Sequence, residues 1–316
     1  MRMSRTVLSL PVLTRMQHLS CYEHSKDQAK PHNMSEDAST KRVCRKNGLV
    51  GLFDILGYRV FLEKNSPETA AEKVMAVLNT LVSLSQKMPR KMVEPFAPVL
   101  GEKSFPSFAK MVNEIEWLVF SDTVLLTLDL SNCADRQVKG SYWGVFLMQC
   151  CSLWRSMFEF GLPLRGAITK GPYLVHKTCF AGKPIVEAHE LANDINCAGV
   201  VIAASAIEWC KAETPKHPGI PSILHYDYSF PSKAKGFVEN TALNVMFAPE
   251  ANQEKWAGDI RQLVHESFWA HGKSVGSGVP EKIENTERLL RFLKMRGSLP
   301  GQFIFIPPTG DSPQET

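Results

Sequence analysis

The run Leu49-Val50-Gly51-Leu52-Phe53-Asp54-Ile55 constrains this chain more than any other stretch. An apolar run of this length reads as a buried strand. An ionised carboxylate inside it costs several kcal/mol (roughly) unless it is paired or neutralised. A second acid, Asp122, stands at the apex between two short apolar runs, Ile115 to Phe120 and Thr123 to Leu128, with Ser121-Asp122 as a tight hairpin turn. Neither acid has a Lys or Arg beside it in sequence to pair with. Two such acids brought together repel, and a divalent cation between them removes the conflict. Hard oxygen ligands of this kind select Mg²⁺ or Mn²⁺, which in turn bind phosphates. Each acid alone also reads as an ordinary capping or turn Asp.

The rest of the chain supplies a frame for these strands. Ser66-Pro67-Glu68 is a helix start, with Ser as N-cap, and the stripe Ala71, Val74, Met75, Leu78, Leu81, Val82 carries the helix to about Met88. Residues 89–110 read as a surface excursion. Ser141 to Phe160 is a second helix, closed by Gly161-Leu162-Pro163. Leu164 to Gly171 is a strand that Tyr173-Leu174-Val175 extends, Pro184 to Asn196 a helix, and Gly199 to Ala203 a buried strand. The resulting order, β-α-β-β-α-β-α-β, predicts an α+β fold with helices on one face of a mostly antiparallel sheet. Beyond residue 210 the sequence predicts a strand at Ile223 to Tyr226 and helices at Glu254 to Trp269 and Pro280 to Met295. We therefore expect a flexible basic arm over 1–46, a catalytic domain over 47–211, a C-terminal extension packed on it over 212–306, and a loose tail over 307–316.

Charge and cysteine usage narrow the function classes. Nine of the 36 Lys and Arg, but four of the 32 Asp and Glu, fall in residues 1–47, so the remainder is close to neutral. A basic nucleic-acid-binding domain is not expected. No stretch approaches eighteen apolar residues (about the length that spans a bilayer). The N-terminal run Val7 to Leu13 is too short, and too interrupted by Pro11, for a secretion signal. Met34-Ser35-Glu36 would make an ordinary start, so residues 1–33 read as an overextended frame. The eight cysteines include no CxxC pair and fit reduced, packed thiols in the cytoplasm.

Around Asp54 the residues suit phosphate chemistry. Gly57 lets backbone approach a ligand, the helix after it offers free N–H groups, and Arg59 adds charge or is an exposed loop arginine.

These residues resemble the class III nucleotide cyclases. The F-x-D-I-x-G-F element of that family is matched by Phe53-Asp54-Ile55-Leu56-Gly57-Tyr58, and its hairpin acid by Phe120-Ser121-Asp122-Thr123. Its L-R-x-G-I-x-x-G-P block is close to Leu164-Arg165-Gly166-Ala167-Ile168-Thr169-Lys170-Gly171-Pro172, and a fourth block matches Gly182, Ala188, Leu191 and Gly199. The resemblance covers about half the chain and implies a ferredoxin-like βαββαβ core. It also departs from the family. Counting from Gly182, the Asn and Arg that steady the transition state in adenylyl and guanylyl cyclases are replaced by Val186 and Glu190. The base-selecting positions hold Leu118 and Cys179; Cys occurs there in guanylyl cyclases, whereas Leu118 replaces the Lys or Glu of the purine enzymes.

A retained metal half with a rewritten base half is similar to the bacterial pyrimidine cyclases of the Pycsar anti-phage system. That resemblance implies conversion of UTP to cyclic UMP, or of CTP to cyclic CMP, with the product activating a separate effector. It implies two Mn²⁺ or Mg²⁺ ions held by Asp54, Asp122 and the Ile55 carbonyl. It implies a triphosphate cradled by backbone at Leu56, Gly57 and Tyr58, with Phe53, Arg59, Leu118, Arg165 and Cys179 at the nucleotide. A head-to-tail homodimer with shared sites is implied too, with no nucleic-acid or membrane partner. A degenerate fold that binds nucleotide without turnover is the alternative. Arg165 and Lys170 are candidate phosphate residues or, equally, a salt-bridged strand end and a solvated turn. Trp143, Trp154 and Phe158 read as core, and His189 with Glu187 and Glu190 as a solvated helix face.

Overall fold

The computed structural model describes residues 44–86, 110–176, 179–213, 224–234, 236–247, 256, 258–273 and 278–297. The expected arm up to residue 43, the excursion over 89–109 and the tail over 307–316 lie outside the described residues. In chain order the elements are β1 (Cys44–Ile55), α1 (Tyr58–Lys64), α2 (Pro67–Gln86), β2 (Ile115–Phe120), β3 (Thr123–Asp129), α3 (Arg136–Glu159), β4 (Leu164–His176) and β5 (Cys179–Ala181). Then come α4 (Lys183–Asp194), β6 (Val200–Ile202), α5 (Ala204–Glu213), β7 (His225–Ser232), β8 (Gly236–Leu243), α6 (Ile260–Trp269), a 3₁₀ turn (Ala270–Gly272) and α7 (Val279–Gly297).

The sheet runs β2-β3-β1-β4-β6-β8-β7, with β5 paired to the far end of β4. β1 lies antiparallel between β3 and β4, so the first four strands carry the βαββαβ order. Among the described residues the one parallel pairing is β4 with β6. The α+β architecture with a mostly antiparallel sheet is therefore present. β1 begins at Cys44, earlier than the apolar run, because Cys44 to Asn47 pair with Pro172 to Val175 of β4.

Alternation along β1 sends Leu49, Gly51 and Phe53 to one face and Val50, Leu52 and Asp54 to the other. The first face receives α3. A Cβ on Gly51 would stand 3.4 Å from Cys150 Sγ and 3.5 Å from the Phe146 ring, so the glycine lets this helix settle onto the strand. Trp154 donates its indole N–H to the Leu164 carbonyl at 2.8 Å and stacks on Phe158 with centroids 4.5 Å apart. Trp143, Trp154 and Phe158 are all fully buried core. Gly166 is required for the same packing, since a Cβ there would come within 2.6 Å of the Phe53 ring.

α2 and α5 flank α3 on this face, with Trp209 of α5 edge-on to Trp143 at 6.0 Å. α4 is the exception to a one-face layout. It lies against the Val50 face, where Thr169 Oγ1 donates to the Pro184 carbonyl at 2.7 Å and Gly171 packs on the Pro184 ring. The β4–β5 hairpin reverses the chain and delivers α4 to that side.

The sheet does not stop at β6. β8 pairs antiparallel with β6, and β7 with β8, so these two strands extend the same layer. α7 closes over it, with Thr286 Oγ1 accepting the Ala198 amide at 2.8 Å. None of the seven described cysteines is in a disulfide. Burial pushes the Cys151 and Cys197 thiols up to about 12. No helix among the described residues is long and apolar enough to cross a membrane.

Candidate functional site

Strand register places four residues in one cross-strand row: Phe120 of β2, Thr123 of β3, Asp54 of β1 and Arg165 of β4. Directly opposed residues share a face, so this row lies on the side away from α3. Asp122 sits in the turn joining Phe120 to Thr123, where Ser121 adopts a left-handed backbone with φ 54°. The Ile55 amide donates to the Asp122 carbonyl at 2.9 Å and pins the turn against the end of β1. Two elements that are 68 residues apart in the chain thereby bring their carboxylates side by side.

Asp54 is the electrostatic centre. Burial raises its pKa first, Arg165 opposes that rise, and the neighbouring Asp122 carboxylate raises it further. Arg165 grips Asp54 Oδ2 with two nitrogens, Nε at 2.8 Å and Nη2 at 2.7 Å. Nη2 also donates to Asn193 Oδ1 at 2.6 Å. The Asn193 carbonyl accepts the Lys233 ammonium, whose pKa is lowered by burial and then by the nearby Arg165. His189 hydrogen-bonds Asn193 through Nε2 at 2.8 Å. On the other side of the acids the Tyr58 phenol is pushed up by burial and by Asp122. Phe120 stands 76% exposed in the same row.

Asp54, which has no cation beside it in sequence, is paired with Arg165, the salt-bridged strand-end reading of that arginine. The partner is across the β1–β4 ladder, 111 residues away in sequence, and only the register reveals it. Other candidates fall elsewhere. The Phe53 side chain is fully buried on the α3 face, so only its backbone is near the acids. The Leu56 amide already donates to the Pro163 carbonyl at 2.9 Å and cannot also cradle a phosphate. Gly57, with φ 75°, caps α1 and turns the chain away from β1. Arg59 is 91% exposed and pairs with Glu63 at 3.0 Å, the exposed-arginine reading.

Leu118 lies on the Asp54 face one row further along, opposite Leu125. Cys179 pairs with His176, eleven residues up β4 from Arg165, or about 35 Å of strand. Within one protomer it is not part of the Asp54 site. Lys170 is on the α3 face, held by Asn47 Oδ1 at 2.5 Å and lying over Trp209, so it is neither at the acids nor in a solvated turn. Val186 is exposed on α4, and Glu187 accepts the Ser205 hydroxyl. Sequence reasoning missed Phe120, Asn193 and Lys233. The aromatic two residues before Asp122 was a usable signal for the first; nothing in sequence marks the other two.

The donor set suits a hard divalent cation. It is oxygen only, the two carboxylates repel, and Oδ1 of Asp54 with the Asp122 carboxylate is engaged by no cationic side chain among the described residues. No group of three or more His, Cys, Asp or Glu gathers anywhere among those residues, so further ligands would be backbone, water or substrate oxygens.

No protein-family profile matches the chain. No curated protein matches it in sequence. Similar solved structures include the adenylyl cyclase CyaB from P. aeruginosa, at 12% identity over 64% of this chain and 95% of that one, with a TM-score of 0.41. The guanylate cyclase domain of RhGC from Catenaria anguillulae, solved with GTP, is 12% identical over 63% and 97%, with a TM-score of 0.37. A dimeric guanylyl cyclase domain from Blastocladiella emersonii is 11% identical over 64% and 96%, with a TM-score of 0.36. At such identities no residue of the site carries across, and the functional reading rests on this chain's own side chains.

Proposed function

We propose that this chain is a nucleotide cyclase that converts a pyrimidine triphosphate, UTP ahead of CTP, to its 3′,5′-cyclic monophosphate and diphosphate. The observation that carries this reading is the acid pair Asp54 and Asp122 at one strand end, in the row that also holds Arg165 and the exposed Phe120. Asp54 and Asp122 would hold Mn²⁺ or Mg²⁺, with the Ile55 carbonyl as a further ligand. A bound ion of this kind supplies Lewis acidity that lowers the pKa of a ribose 3′-hydroxyl and offsets phosphate charge.

The 3′-hydroxyl gives up its proton to solvent and its oxygen bonds the α-phosphorus while the bond from that phosphorus to the β-bridging oxygen breaks, and diphosphate leaves. Arg165 and Lys233 form a cationic flank beside the acids, suited to the phosphate oxygens. Phe120 offers an open aromatic face to a base, and Leu118 gives an apolar edge where purine enzymes of the resembled family carry a charged one. The resemblance to that family supports a homodimer with shared sites, with Cys179 serving the partner's pocket. By the same resemblance the cyclic product would act as a messenger in anti-phage defence, in the cytoplasm, through a separate effector.

A second reading has its own support. Arg165 occupies Oδ2 of Asp54 with a hydrogen bond from Nε and an ion-pair contact from Nη2, and Val186 and Glu190 stand where the resembled enzymes hold Asn and Arg. These features suit a fold that binds nucleotide without turning it over. The two separate on one assay: purified protein with Mn²⁺ and each of the four ribonucleoside triphosphates, products identified by mass, with Asp54→Ala, Asp122→Ala as control. A cyclic pyrimidine product that disappears in the control supports the cyclase. A purine product overturns the substrate assignment, and no product from any triphosphate supports the binding fold.

A further inference from the structure

The 3₁₀ turn Ala270–Gly272 and the residue after it, Lys273, are built at high cost and lie against the loops beneath the acid pair. Lys273 is 7% exposed, and its ammonium donates to two carbonyls, Gly161 at 2.6 Å and Ser267 at 3.2 Å. Burial alone lowers its pKa, with no carboxylate opposing it among the described residues, and a buried ammonium without a counter-ion is expensive. His271 adopts φ 59°, ψ 27°, a left-handed conformation that a residue with a Cβ takes at a cost of roughly 1–2 kcal/mol. Such features persist only where the surroundings impose them.

Besides its contact with α6 through Ser267, this turn touches the segments that border the site. The Lys273 stem lies beneath Gly57, where a Cβ would stand 3.7 Å from its Cδ. His271 Nε2 bonds to the Phe160 carbonyl at 2.6 Å, and its ring is edge-on to Phe61 of α1 at 5.4 Å. The His271 carbonyl accepts Asn65 Nδ2 at 3.3 Å. Ala270 fills the space beside Gly161 so closely that a Cβ there would come within 2.2 Å of its own. From Gly161 the chain reaches Pro163, whose carbonyl accepts the Leu56 amide, and next door the Ile55 amide donates to the Asp122 carbonyl. The α3–β4 turn, the β1–α1 corner and the hairpin of Asp122 are thus tied in series, and the turn at 270–273 holds the outer end.

We propose that this turn is a positioning clamp: Lys273 and His271 fix the Leu56–Gly57 corner and, through it, the spacing of Asp54 and Asp122. The site then depends on a segment lying after β8, outside the βαββαβ core. The proposal rests on the cyclase reading only for its effect on turnover; its structural half stands on the contacts alone.

The test uses the full chain with Lys273→Met, which keeps the stem and removes the charge, and His271→Gly, which relieves the left-handed strain and removes the ring. Amide exchange by mass spectrometry and steady-state kinetics with Mn²⁺ and the triphosphate that the wild type uses are compared across the three proteins. The clamp predicts exchange at least about tenfold faster in the peptide covering 55–61, unchanged exchange in β7–β8, a melting temperature for Lys273→Met at pH 7 at or above that of wild type because a buried charge is removed, and kcat lowered more than tenfold with KM within about threefold. Exchange within twofold of wild type in both variants overturns it. So does uniform loosening of the whole chain, which would make the turn merely structural. If the wild type yields no cyclic product the cyclase reading fails, and the exchange result still decides the clamp.

Discussion

On one face of β1, Leu49, Gly51 and Phe53 lie under α3, against Phe146 and Cys150; on the other, Asp54 shares its row with Thr123, Arg165 and an exposed Phe120. The same strand feeds both, and alternation alone separates them. The first face gains stability from burying large rings at close quarters. The second holds a half-buried carboxylate whose desolvation, with the repulsion of Asp122 added, outweighs the attraction of the Arg165 guanidinium. The sheet therefore stores on one side what it spends on the other, and substitutions on the two faces should have opposite signatures.

Asp122→Asn should give the largest effect on turnover. Product formation falls about a thousandfold, the scale of losing a group that acts directly on the reacting atoms. The fold becomes more stable to urea, because the repulsion on Asp54 is relieved while its pairing with Arg165 stays. A loss of both activity and stability would break the contrast between the faces.

Trp154→Ala is the mirror experiment. It removes a buried indole, its hydrogen bond to Leu164 and its stack on Phe158, and should cost about 4 kcal/mol in urea unfolding. Activity per folded molecule stays near wild type.

The pH dependence of Lys273 comes next. Burial lowers its pKa from 10.5 to about 8. Between those values the unfolded chain binds the extra proton, so stability rises as pH climbs from 8 to 10.5, by about 3 kcal/mol at full titration. Wild type minus Lys273→Met, measured by urea unfolding across pH 7 to 10, isolates that rise; a flat difference contradicts the buried charge.

Arg59→Ala should give the smallest effect. An exposed i,i+4 pair contributes little, so kcat/KM stays within about twofold. A larger loss would return Arg59 to the site.

How much of this was legible follows from the same alternation. The apolar run to Ile55 and the Ser121-Asp122 hairpin announce themselves locally, and with them the two acids. The start at Ser66-Pro67 was legible too, since Ser66 Oγ accepts the Thr69 amide at 3.2 Å. Arg165 was read as a strand-end residue, but its partner could not be read, because register between β1 and β4 is set by the whole ladder. β8, with the sequence Gly-Phe-Val-Glu-Asn-Thr-Ala-Leu, is too polar to stand out as a strand and forms because β6 leaves an edge for it. α5, with three Ala among its ten residues and its charges scattered, was hidden by a pattern of weak amphipathicity. Lys273 carries no sequence signal at all, and its meaning comes only from a fold that packs it under Gly57.

The central claim is that Asp54 and Asp122 form a cation site rather than a structural ion pair with Arg165. Titrating Mn²⁺ into wild type, Asp54→Asn and Asp122→Asn, with the free-ion paramagnetic resonance signal as readout and a non-hydrolysable triphosphate present, tests it directly. The account predicts that wild type lowers the signal below that of the triphosphate alone and that neither variant does. Equal quenching by wild type and Asp122→Asn, or none by any of the three, would contradict it.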